Sequence, residues 1–218
     1  MTTERVIFGG TFDPPHRGHI AVISGLRERL SLPVVVVPNG IPSHREAPWA
    51  SGEDRLRLMR LAVAELNDPL VSVSDLEVRR DGPSYTADTL EELQAQAPGG
   101  RLLLALGSDA AAGLPSWERA EGISRLARLV VFDRSGAPDR ATSVIADLRR
   151  AGYPLPGALE VGVLAPELEA SEIRDRLASG ADCSEQLTPA VRREISRSGL
   201  YRGVPRVAAT DHGIIAPA

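Results

Sequence analysis

A single cysteine, Cys183, among 218 residues excludes an intramolecular disulfide. Cys183 reads as an incidental thiol, and no Cys/His cluster has the spacing of a zinc site, so no protein-held metal is expected. Aromatic residues make up only 4% of the chain, so each Trp and Tyr invites the question of what it packs against. No apolar run is long enough to span a bilayer, and the polar N-terminus Met-Thr-Thr-Glu-Arg lacks a signal-peptide pattern. The cytoplasm is the expected compartment, with no membrane partner. The formal charge is only −4. That argues against a broad nucleic-acid-binding surface, while 25 basic residues can still build a local basic pocket. Two phosphate-binding spellings are also missing, G-x-x-x-x-G-K-[ST] and G-x-G-x-x-G.

What is present is an apolar fraction of 43%, enough for a large core. Strand patterns fall at Arg5–Gly9, Val34–Val37, Val71–Val78, Arg101–Leu106, Leu129–Asp133 and Ala158–Leu164. Helical patterns fall at Gly18–Leu30, Glu53–Leu66, Tyr85–Ala97, Arg140–Ala151, Ser171–Ala178 and Pro189–Ser198. Gly107–Arg128 is expected to hold one or two helices broken at Pro115, and Pro38–Ala50 a loop. The alternation predicts an α/β fold, a Rossmann-like doubly wound parallel sheet with helices on both faces. Residues 1–165 are expected to form that domain, 166–202 a small helical C-terminal subdomain, and 203–218 a flexible tail.

The densest chemistry is Gly9-Gly10-Thr11-Phe12-Asp-Pro-Pro-His16-Arg-Gly-His19. A strand enters a glycine turn, and two imidazoles stand at the entrance of a helix. Helix entrances offer free N–H groups and a positive dipole end, which suit a phosphate. Four further segments stand out: Pro42-Ser-His-Arg45, Asp81-Gly-Pro-Ser-Tyr85-Thr86-Ala-Asp-Thr-Leu90, Gly107-Ser-Asp109 and Leu114-Pro-Ser-Trp117. Ser84 or Thr86 is expected to cap the helix that follows. Asp109 suits either ribose hydroxyls or a helix N-cap, Trp117 either stacking or the core. Arg134 ends a strand, and Ser171 with Arg174 reads as a capped helix start plus a cation.

These blocks resemble the nicotinate-nucleotide adenylyltransferase family of H-x-G-H nucleotidyltransferases, over about residues 4–202. The resemblance implies ATP and nicotinate mononucleotide as substrates, deamido-NAD and pyrophosphate as products, and Mg²⁺ bound with ATP. It implies that His16 and His19 stabilise the phosphorus under attack and that Arg45 and Arg174 hold the pyrophosphate. Gly9, Gly10, Thr11, Phe12, Asp109 and Ser171 then serve the nucleotide, and Tyr85, Thr86, Trp117 and Arg134 the acceptor. The chain departs from the family pattern at Arg45 (usually Lys), at Glu169 and Ala170 (usually Ser), and at Glu194 (usually Tyr). Two alternatives remain open: a paralogue using CTP or a different phosphate or phosphonate acceptor, and a non-catalytic nucleotide-binding protein. Oligomeric state is open.

Overall fold

The computed structural model describes residues 4–42 and 47–203. Its strands, in chain order, are β1 (Glu4–Gly10), β2 (Val34–Pro38), β3 (Ile41–Pro42), β4 (Val71–Val73), β5 (Pro83–Ser84), β6 (Arg101–Gly107), β7 (Ala127–Asp133) and β8 (Leu159–Gly162). Its α-helices are α1 (Arg17–Leu30), α2 (Gly52–Ala64), α3 (Thr86–Gln96), α4 (Ser108–Ala112), α5 (Ala120–Leu126), α6 (Asp139–Arg150), α7 (Ala170–Ala178) and α8 (Pro189–Ser198). Six strands form one sheet in the order β4-β2-β1-β6-β7-β8, with every pair parallel. This is the doubly wound arrangement expected, its winding reversing between β1 and β6.

Alternation along the strands builds two cores. Leu103 and Ala105 of β6 join Val130 and Phe132 of β7 on one face. Leu102, Leu104 and Leu106 join Leu129 and Val131 on the other. The first face is covered by α1 and α2, through Val22, Ile23, Leu26, Leu58 and Met59. The second is covered by α3, α5 and α6, through Leu90, Leu93, Ile123 and Ile145. Ile173 of α7 and Val191 and Ile195 of α8 pack into the first core beside α1 and α2. No helix among the described residues is long and apolar enough to cross a membrane.

Several boundaries differ from the sequence reading. The strand expected over Val71–Val78 stops at Val73, because β4 is an edge strand paired only with Val34–Val36. After it, Ser74 Oγ accepts from Leu76 N–H, and the chain turns away. Ala158–Leu164 shortens to Leu159–Gly162. The stretch Gly107–Arg128 splits into α4, a 3₁₀ turn at Leu114–Ser116 carrying Pro115, and α5, while Ala127 and Arg128 already belong to β7. The pairing of β3 with β5 was not foreseen. Ile41 lies opposite Pro83 and Pro42 opposite Ser84, so the expected loop after β2 is stitched to the turn before α3.

Candidate active site

Strands β1 and β6 pair only as far as Ile7 and Leu104, although β1 runs on to Gly10 and β6 to Gly107. The two part at their carboxyl ends, at the switch in winding, where such sheets hold ligands. Residues 9–16 line that opening and lead to His16, the N-cap of α1.

The rings of His16 and His19 stack, with centroids 3.7 Å apart and planes 24° from parallel. His16 N–H donates to His19 Nδ1 at 3.2 Å. A ring nitrogen that accepts carries no proton, so neutral His19 bears its proton on Nε2 and is a donor there. Phe12 is buried and meets the His19 ring edge-on, centroids 4.9 Å apart. Its side chain is thus a buttress, and what it can offer a nucleotide is its backbone. Gly18 is needed by space: a Cβ there would lie 3.0 Å from both His16 Nδ1 and Pro166 O.

Burial, and then the charge of Arg134, lowers the pKa of His16 from 6.5 to about 4. Burial, His16 and Arg134 also push His19 well below its ordinary value. Both imidazoles are therefore neutral at pH 7, and Arg134, at the end of β7, acts on both. Between pH 6.5 and 4 the unfolded chain binds a proton at His16 that the folded chain refuses, so stability falls as pH falls through that window. The full contribution, at the bottom of the window, is about 3 kcal/mol. Urea denaturation at pH 7 and pH 4.5 is expected to show a smaller acid-induced loss in His16→Gln than in wild type. An equal loss in both would contradict the assignment.

The loop of residues 9–16 is held by several partners, of which the sequence reading singled out only Arg174. Asp13 is 3% exposed. Its carboxylate accepts from Trp49 N–H (2.7 Å), Ala50 N–H (3.2 Å) and Tyr201 O–H (2.8 Å). Arg55 is 1% exposed. It donates to Ala50 O, Thr11 O, Asn39 Oδ1 and Gly40 O. Asn39 Nδ2 donates to Thr11 Oγ1 at 3.2 Å. Arg174 Nη1 donates to Asp13 O at 2.7 Å, and its guanidinium lies 5.3 Å from the Trp49 ring centroid. Its Nε is buried with no hydrogen-bond partner among the described residues. The clue to Arg55 was available: it falls three, four and seven residues before Leu58, Met59 and Ala62, on the buried face of α2.

The second half of the crevice starts at α3. Tyr85 is its N-cap and makes no side-chain cap bond, which corrects the expectation that Ser84 or Thr86 caps this helix. Ser84 Oγ instead accepts from Gly40 N–H. The first N–H groups of α3 are left without a side-chain cap. Trp117 is half-buried against the second core. Two residues on, Arg119 ties this segment to α3 through Asp88 (2.6 Å) and Glu91.

The remaining candidates are placed as follows. Gly107, not Asp109, is the N-cap of α4, and the exposed Asp109 carboxylate pairs with Arg140 of α6. Ser171 is exposed at the second position of α7, whose N-cap is Glu169 without a side-chain bond, so the expected serine cap is absent. Arg45 lies outside the described residues. No group of three or more His, Cys, Asp or Glu able to hold a metal occurs among the described residues.

Comparison with known proteins fits this geometry. The chain belongs to the Cytidylyltransferase-like family, whose model matches residues 7–198. Within it, the chain is one of the nicotinate-nucleotide adenylyltransferases. An Aeromonas hydrophila protein named "Probable nicotinate-nucleotide adenylyltransferase" is 40% identical over 90% of this chain and 96% of its own length. One of the same name from Acidithiobacillus ferrooxidans is 37% identical over 91% and 96%. The fold matches that of Plasmodium falciparum nicotinic acid mononucleotide adenylyltransferase complexed with NaAD. The TM-score is 0.72 at 19% identity, covering 91% of this chain and 97% of that one.

Proposed function

We propose that this enzyme joins ATP and nicotinate mononucleotide to give deamido-NAD and pyrophosphate, a step of NAD biosynthesis in the cytoplasm. A 5′-phosphate oxygen of the acceptor attacks the α-phosphorus of ATP in line. The bond to the β-phosphate oxygen breaks, and pyrophosphate leaves with the electron pair. Such transfers need positioning and charge stabilisation more than covalent help. The carrying observation is the stacked, neutral imidazole pair beside Arg134 at the switch point. His19 Nε2–H and the His16 ring donate to the oxygens on the α-phosphorus, where negative charge builds. Gly9, Gly10 and Thr11 bring backbone close to the phosphates.

Mg²⁺ brought with ATP would offset charge on the leaving pyrophosphate. Arg174 meets the pyrophosphate with the N–H groups that Asp13 does not take, and Arg45 joins it from the loop. Ser171 serves the phosphates from the first turn of α7. Asp109 meets the ribose by releasing Arg140. Arg134 receives the acceptor's 5′-phosphate. The uncapped N–H groups at Tyr85 and Thr86 receive the nicotinate carboxylate, with Trp117 against the ring. Free donors at a helix start favour an anion, so the acid form is preferred over the amide.

The test crosses ATP, CTP and GTP with nicotinate mononucleotide, nicotinamide mononucleotide and no acceptor, and reads pyrophosphate. Fast release is expected only from ATP with nicotinate mononucleotide. A preference for CTP, or silence with this acceptor, would favour a specialised paralogue and turn attention to Glu169 and Ala170.

A further inference from the structure

Glu77 is 7% exposed and lies outside the catalytic crevice described above. Thr89 Oγ1 donates to its Oε1 at 2.6 Å, and the Ser84 hydroxyl lies near enough to favour the charged carboxylate. Ser84 Oγ accepts from Gly40 N–H at 3.1 Å, so its own proton is free for Glu77. Burial pushes the Glu77 carboxyl up, opposed by the two hydroxyls and by Arg80. Arg80 itself donates to Thr89 Oγ1 at 3.1 Å and to Glu92 at 2.9 Å. The buried carboxylate thereby holds the Thr89 hydroxyl in the first turn of α3 and faces the Ser84 hydroxyl just before it. The contact is close as well as polar: a Cβ on Gly40 would lie 2.3 Å from Glu77 O.

The Asn39–Gly40 turn is thus gripped from two sides. Arg55 holds it to the phosphate loop through Gly40 O and Thr11 O. Ser84 holds it to the start of α3. We infer that Glu77 and Ser84 are positioning residues for the acceptor: they fix the start of α3 against the Gly40 turn, independently of the nucleotide side. This rests on the reading above that the acceptor binds at Tyr85 and Thr86. Because Arg55 keeps its own bonds when Ser84 or Glu77 is changed, the two substrates are affected unequally.

The experiment measures pyrophosphate release with Mg²⁺-ATP and nicotinate mononucleotide in wild type, Ser84→Ala, Ser84→Thr and Glu77→Gln. It also follows amide hydrogen exchange at Gly40 and urea denaturation. Ser84→Ala and Glu77→Gln are expected to raise the acceptor KM by about tenfold, the scale of one lost charge-assisted hydrogen bond. The ATP KM and kcat stay unchanged, and Ser84→Thr recovers most of the loss. Both KM values rising together, or lower stability with neither KM moved, would overturn the inference. If wild type releases no pyrophosphate from this pair, the proposed function has failed. The positioning role is then read from exchange alone: faster exchange at Gly40 in Ser84→Ala and Glu77→Gln supports it, and an unchanged rate overturns it.

Discussion

His19→Ala is expected to lower kcat by about 10² or more, the cost of losing one pre-aimed donor to transition-state charge. His19 is held in place before substrate arrives. Its Nδ1 is occupied by His16 N–H, its ring stacks on His16, and Phe12 supports its edge. A donor fixed before substrate arrives needs no reorganisation as charge develops. The fold should survive, because Val22, Ile23 and Leu26 anchor α1 in the first core without it. The measurement is steady-state kinetics on protein whose denaturation curve matches wild type. A folded variant with undiminished turnover would remove His19 from the mechanism.

Arg55→Met should cost the most stability, about 3–5 kcal/mol, the scale of leaving several buried acceptors without their donor. Arg55 is among the largest fully buried side chains. Burial lowers its pKa, and the charge of Asp13 opposes that shift. Methionine keeps much of the volume but leaves the oxygens of Ala50, Thr11, Asn39 and Gly40 without their donor. It also leaves Asp13 buried with less compensating charge. Urea denaturation reads the loss directly. A change below about 1 kcal/mol, the size of an ordinary surface substitution, would mean that Arg55 only fills space.

Both residues sit within reach of the same loop, yet the sequence stated a role for only one. His16 and His19 announce themselves by spacing, because a strand, a double glycine and a helix start leave few alternatives for two imidazoles. Arg55 lies in a helix whose pattern is explained by amphipathicity alone. Its partners come from Thr11, Asn39, Gly40 and Ala50, and no local pattern states which carbonyls a buried guanidinium will meet. The same holds for Tyr201, whose hydroxyl reaches Asp13 across 188 residues of sequence. Ser84 and Ser171 show the reverse error. Each looks like a helix cap by local preference, but Ser84 Oγ is taken by Gly40 N–H and Ser171 sits inside the first turn of α7.

By itself the sequence determined the α/β alternation, the six parallel strands and the motif that places two histidines at the first helix entrance. It could do so because hydrophobic period, glycine turns and helix starts are local, and local physics writes itself in neighbouring residues. Only the tertiary structure decided the tautomer and neutrality of the histidines, the grip of Arg55 and Asp13 on the phosphate loop, and the stitching of β3 to β5. Those depend on burial and on hydrogen bonds between distant segments, and both exist only once the chain has closed around them.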